Sequence, residues 1–295
     1  MNSVSDLNSF NTNHFRDRFE LSKEQSQDIF HSLAADDVLE RNQSKFFKVK
    51  RFVKHSLLSE MDISDTSGEF KIRFDPTPQE YSGHFLICGG TGSGKTYWAV
   101  QMMLDNLNGP KHLRRHFLVI SSEWDGDSTL QPLKKEKYKP YVTGVDISED
   151  ALKDSQWTNK EEFFQGEVKL RIEHGPPGMV AFIDDPQDSC CPALMRSLIN
   201  RGLRVYRHMG TSLMVILHSI RSGSWSQQAY NSIRYLVLFP RSQKGKIINY
   251  LNQDIGIPLK EARETVRQFS QTGRFMVVRI HAPEALIGPK LIKIL

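Results

Sequence analysis

An octapeptide, Gly89-Gly90-Thr91-Gly92-Ser93-Gly94-Lys95-Thr96, lies between the apolar run His84-Phe85-Leu86-Ile87-Cys88 and the helical pattern Tyr97-Trp98-Ala99-Val100-Gln101-Met102-Met103-Leu104. It fits G-x-x-x-x-G-K-[ST] at every position, and that pattern is compatible with few architectures. A buried strand must run into a glycine-rich turn that opens a helix, so that backbone N–H groups and the helix dipole converge on one point. Such a nest accepts a polyphosphate. Glycines keep side chains out of it, the Lys95 ammonium meets the β and γ oxygens, and the Thr96 hydroxyl serves Mg²⁺. Gly89, Gly90, Thr91, Gly92, Ser93, Gly94, Lys95 and Thr96 are therefore the expected nucleotide-binding residues, with ATP and Mg²⁺ as the expected cofactors.

A second acidic motif follows about ninety residues later. Met179-Val180-Ala181-Phe182-Ile183 reads as a buried strand and runs directly into Asp184-Asp185-Pro186-Gln187. Asp184 is the expected Mg²⁺ ligand, because this hard cation takes oxygen donors and keeps several waters. Asp185 is the expected general base on the attacking water, and the alternative for the pair is to cap the next helix. Pro186 and Gln187 end the strand where the ligand crevice of an open α/β sheet lies.

From Phe70 onward short apolar runs alternate with helical patterns, which predicts an α/β fold with a mainly parallel central sheet flanked by helices. Predicted strands cover 70–74, 83–88, 116–121, 179–183, 212–217, 235–239 and 275–280, the last closing as an edge hairpin with 290–294. The segment 124–143 is expected to be a Lys-rich loop. Ser212-Leu213-Met214-Val215-Ile216-Leu217 would be an additional strand between the phosphate-loop (Walker A) strand and the acidic (Walker B) strand. That extra strand separates motor-type ATPases from simple nucleotide kinases and GTPases. It ends in His218, which is either a structural histidine or a polar group touching the γ-phosphate or the attacking water.

Residues 1–69 are polar and read as a partly helical N-terminal arm, with helices over 23–40 and 44–58, while 70–295 form the ATPase domain. Within the arm Phe46, Val49, Phe52 or Val53 and Leu57 recur at helical spacing beside Lys45, Lys48, Lys50, Arg51, Lys54 and His55, a basic face for solvent, DNA or a partner. The 295 residues are enough for a sizeable core, no apolar run reaches membrane-spanning length, and Met1-Asn2-Ser3-Val4 opens no signal-peptide core. A soluble, intracellular or virion-internal protein with no membrane partner is expected. Cys88, Cys190 and Cys191 lack metal-site spacing and read as free thiols. A net charge of +5 is compatible with an anionic partner such as nucleic acid without requiring one.

Pro192 to His208 reads as a helix bearing Arg201, Arg204 and Arg207 at every third position, so that these guanidinium groups cluster on one side. Such a row suits a DNA backbone or a neighbouring subunit's γ-phosphate. Arg221 and Arg234 are further candidates, next to strand ends expected to border the nucleotide crevice. Spacing does not choose among the five.

Taken in order, the GGTGSGKT loop, the Phe182-Ile183-Asp184-Asp185 acids, Arg207-His208 before the Ser212 strand, His218 after it, and the segment Asn231 to Phe239 resemble the FtsK–HerA superfamily of DNA-pumping ATPases. Within that superfamily they resemble the poxvirus-type and other large-DNA-virus genome packaging ATPases. The resemblance runs from about Phe70 to Phe269. Asp185 stands where cellular members usually carry Glu, and His218 where they tend to carry Gln; both departures match viral members. The resemblance implies a homo-oligomeric ring, ATP hydrolysis at subunit interfaces, and double-stranded DNA threaded into a preformed capsid, with a capsid or portal component as a further partner at the site of virus assembly. Two other readings of the motifs are a nucleotide or small-molecule phosphotransferase and a non-catalytic nucleotide-gated scaffold. The first requires an arginine-rich lid, of which the sequence shows no segment; the second requires a missing base, against which Asp185 stands.

Overall fold

The computed structural model describes residues 46–48, 72–75, 77–220, 232–280 and 285–294. Among the described residues ten strands form one sheet: β1 (Phe46–Lys48), β2 (Phe85–Cys88), β3 (Phe117–Ser121), β4 (Val142–Asp146), β5 (Val180–Ile183), β6 (Ser212–Leu217), β7 (Tyr235–Leu238), β8 (Met276–Arg279), β9 (Ala285–Gly288) and β10 (Leu291–Ile294). Their spatial order is β1-β10-β9-β8-β7-β2-β6-β5-β3-β4. The six from β7 to β4 in that order run parallel, and β8, β9, β10 and β1 extend the sheet in antiparallel fashion.

The central strands are continuously apolar because helices cover both of their faces. Phe85, Ile87, Val180, Phe182, Met214 and Ile216 face one core, against Ala99, Val100, Met103 and Leu107 of helix α1 (Lys95–Asn108). Leu86, Cys88, Ala181, Ile183, Val215 and Leu217 face the other. That second core is closed by α2 (Pro192–Val205), α3 (Lys244–Gln253) and α4 (Leu259–Thr272). On α2 the buried residues Met195, Leu198, Ile199, Gly202 and Leu203 follow helical spacing. Each fully buried aliphatic side chain contributes roughly 1.5–3 kcal/mol, so the two cores dominate the stability of the sheet. Among the described residues no helix is long and apolar enough to cross a membrane.

Several expectations are corrected. Of the expected strand 70–74, residues 72–74 form no strand and 70–71 lie outside the described residues; the chain after them is held by a buried side chain instead. The carbonyls of Asp75, Thr77, Pro78, Glu80 and Gly178 all accept from the guanidinium of fully buried Arg115, at 2.6–3.3 Å. The expected loop 124–143 instead contains two 3₁₀ turns, and its end enters strand β4. That edge strand is half exposed and carries Gly144 directly beneath the Trp124 ring, so it lacks an apolar signature. The strand β8 pairs with β9, which in turn pairs with β10, rather than with 290–294 directly. Phe46–Lys48 is a strand on β10 where a helix over 44–58 was expected; the rest of that helix and the one over 23–40 lie outside the described residues.

Candidate nucleotide site

The parallel register lines up Cys88, the last residue of β2, with Leu217 of β6, and Ile183 of β5 with Val215 of β6. The loop that follows β2, the acids that follow β5 and His218 after β6 therefore emerge at one edge of the sheet. The strand β6 lies between β2 and β5, as the additional strand of the sequence reading requires. Gly94, at φ 96°, turns the chain into α1, and its left-handed backbone favours glycine there. The helix thus begins with its free N–H groups over the loop.

Lys95 is buried and donates from Nζ to the Gly90 carbonyl at 3.2 Å, folded over its own loop. Ser93 Oγ is buried with no hydrogen-bond partner, an orphaned donor inside the nest that a phosphate oxygen would satisfy. The Thr96 hydroxyl lies 3.4 and 3.5 Å from the two carboxylate oxygens of Asp184. Burial first, then the charges of Asp185 and Asp127, push the Asp184 carboxyl up to about 7, against the bonds and charge supplied by Thr96 and Lys95. With Lys95 opposing only part of the cost of burial, this carboxylate and the Thr96 hydroxyl make a hard oxygen pair that fits Mg²⁺.

Asp185 has φ 40° and ψ 62°, and among the described residues no other non-glycine has positive φ. Holding Asp in this region costs about 1 kcal/mol, strain of the kind that collects at functional sites. It turns the side chain to within 3.3 Å of His218 Nε2. Burial raises the Asp185 pKa, and the charges of His218 and Lys95 oppose the rise.

The segment after β7 completes the surround, and sequence reasoning missed it. Ser242 Oγ accepts from Gly90 N–H at 3.3 Å, Gln243 Nε2 donates to the His218 carbonyl, and Lys246 Nζ donates to Ser219 Oγ at 2.9 Å. The sequence carried no signal for it, because the pairing of β7 with β2 that brings the segment here is a feature of the tertiary structure. Beside the loop a cleft of about 550 Å³ is lined by Ser93, Tyr97, Phe239, Arg241, Arg274 and Phe275 among others. Tyr97 is 61% exposed, unusual for an aromatic that has no polar duty to perform there. A cleft of this size with an exposed ring on its wall could hold a base and ribose.

The arginines separate. Arg201, Arg204 and Arg207 are all exposed. Arg207 lies near the buried His84 at the amino end of β2, where burial and the Arg207 charge push that imidazole down to about 3. Arg234 precedes β7 and pairs with Asp75 at 3.4 Å. Its backbone N–H bonds the His84 carbonyl. Arg207 and Arg234 are thus at the amino edge of the sheet, opposite the loop, which corrects the expectation that Arg234 borders the crevice. Arg221 and Asn231 lie outside the described residues. Cys88, Cys190 and Cys191 are free and buried.

A glycine-rich loop from one parallel strand, a buried acid from another and a third strand between them define a P-loop NTPase of the kind with an additional central strand. Its structural neighbours include the genome packaging NTPase B204 from Sulfolobus turreted icosahedral virus 2 in complex with ATP-gammaS, at 16% identity over 72% of this chain and 98% of that chain, TM-score 0.40. The pCW3 conjugation coupling protein TcpA is similar at 13% identity over 71% of this chain and 60% of that one, TM-score 0.36. EssC ATPases 2 and 3 from Geobacillus thermodenitrificans are similar at 16% identity over 53% and 32%, TM-score 0.35. No protein-family model matches the chain, and no curated protein matches it. These overlaps are partial, and the class rests on the chain's own sheet order and site.

Proposed function

We propose that the protein is an ATPase whose hydrolysis drives double-stranded DNA into a viral capsid, acting as a homo-oligomeric ring of the FtsK–HerA type. The observation that carries this reading is the position of β6 between β2 and β5, which brings His218 to the edge of the sheet between the phosphate loop and the acids. A kinase of the simpler kind has no strand there. The motif order along the chain supports the packaging assignment, and the exposed Arg201, Arg204 and Arg207 offer cations to a phosphate backbone.

In this mechanism the loop N–H groups, the dipole of α1 and Lys95 hold the triphosphate, Lys95 giving up its bond to Gly90 to reach the phosphates. Thr96 and Asp184 would hold Mg²⁺, which supplies charge neutralisation of the phosphate oxygens. Asp185 accepts the proton of the attacking water, and burial makes it a stronger base than a solvated aspartate. His218 faces the Asp185 carboxylate across 3.3 Å, where it borders the position of the attacking water. Arg207, at the opposite edge of the sheet, can act on a phosphate only in a neighbouring subunit's site.

ATP turnover with and without linear duplex DNA tests the reading, beside Lys95→Ala as the binding-deficient control. Stimulation by DNA is the expected result. Turnover indifferent to DNA, with phosphate passed instead to a small acceptor, would overturn it.

A further inference from the structure

Asp188 has no part in the chemistry above, yet the fold delivers it to the same spot. Asp185 opens a 3₁₀ turn, Pro186–Asp188, closed by the Asp188 N–H on the Asp185 carbonyl at 3.0 Å and by Ser189 Oγ on the Pro186 carbonyl at 2.9 Å. The left-handed cap at Asp185 and the turn after it leave the Asp188 carboxylate near the Asp185 carboxylate. His218, from the end of the neighbouring strand, closes the group. One donor atom from each of Asp185, Asp188 and His218 lies within 4.8 Å of the others.

We propose that Asp185, Asp188 and His218 form a second cation site, separate from the Thr96–Asp184 pair, which takes a borderline divalent transition-metal ion of the Zn²⁺ class. Two observations carry it besides the cluster. The Asp185 Oδ1 to His218 Nε2 separation is 3.3 Å, the spacing of about 3.3 Å between neighbouring ligands around a tetrahedral Zn²⁺ with bonds of about 2.0–2.1 Å. Asp185 Oδ1 is shielded from solvent and makes no hydrogen bond, within a side chain that is 29% exposed, as an acceptor facing a shared ion would be. The ligand set discriminates as well: one imidazole with two carboxylates suits Zn²⁺ or Co²⁺, whereas Mg²⁺ prefers oxygen donors alone.

An ion here would occupy the carboxylate and the imidazole that hydrolysis uses, so it would stop turnover and leave the nucleotide bound. That consequence rests on the proposed function; the binding of zinc does not.

The test is calorimetric titration of zinc into the full chain, without nucleotide and with excess Mg²⁺, for wild type, Asp188→Asn and His218→Gln, with Co²⁺ absorption spectra alongside. One ion per chain is expected, without a thiolate charge-transfer band, and weakened about tenfold or more in each variant. Asp188→Asn should also keep ATP turnover within about twofold of wild type while resisting zinc inhibition. Unchanged zinc affinity in both variants, or a thiolate band placing the ion on Cys190 and Cys191, would overturn the site. Intact zinc binding with no effect on turnover would leave the site standing and refute its inhibitory role.

Discussion

Replacing the buried Asp184 with Asn should stabilise the nucleotide-free protein even as it removes a group on which the site depends. The Asp184 carboxyl is 6% exposed, and its pKa is raised from 3.8 to about 7. The difference, about 3 units, corresponds to ~4 kcal/mol at about 1.4 kcal/mol per unit, an upper figure before local relaxation. Below about pH 4 the carboxyl is protonated in both the folded and the unfolded chain and costs nothing. As pH rises toward 7 the unfolded chain releases its proton first, so the folded state loses stability across that window; above it the loss is constant. Asn carries no such charge. Urea unfolding at a series of pH values should therefore show Asp184→Asn ahead of wild type by about 2–4 kcal/mol at pH 8, with the gap shrinking toward zero near pH 4. MgATP should stabilise wild type and do much less for the variant. A gap independent of pH, or a variant less stable than wild type at pH 8, would refute the claim that desolvation dominates at this carboxylate.

Asp185→Asn should lower kcat by about 10²–10⁴-fold while MgATP still binds, as read by single-turnover kinetics beside a binding assay; near-normal turnover would remove Asp185 as the base. Tyr97→Ala should raise the KM for ATP about tenfold with little change in kcat if the exposed ring stacks on the base, and an unchanged KM would place the base elsewhere. Gly178→Ala should destabilise by about 2–4 kcal/mol, because Gly178 has φ +76° and an added Cβ would lie 1.7 Å from the Pro78 carbonyl oxygen. An unchanged urea midpoint would show that the 77–80 segment moves aside freely.

The candidate nucleotide site was legible where its chemistry is written in consecutive residues. Gly89 to Thr96 and Asp184-Asp185 each sit at the end of a buried strand, and hydrophobic runs locate such strands well. The segments that misled were those whose neighbours come from far along the chain. The run 70–74 has a strand-like pattern, but its described residues are irregular and lead into a segment whose carbonyls, from Asp75 on, accept from the Arg115 guanidinium. The edge strand β4 has too little burial to be patterned, with Gly144 placed to clear Trp124.

By itself, the sequence determined a glycine-rich loop of the phosphate-binding pattern and an acid pair at a strand end, because each depends on local backbone geometry and adjacent residue types. Only the tertiary structure decided which strands are neighbours. Strand order is set by the packing of helices onto both faces of the sheet, and local sequence says little about it. That order carries Arg207 and Arg234 to the amino edge, away from the loop, and brings His218 to Asp185. The 3₁₀ turn adds Asp188, so that a histidine and two aspartates from separate segments share one small volume.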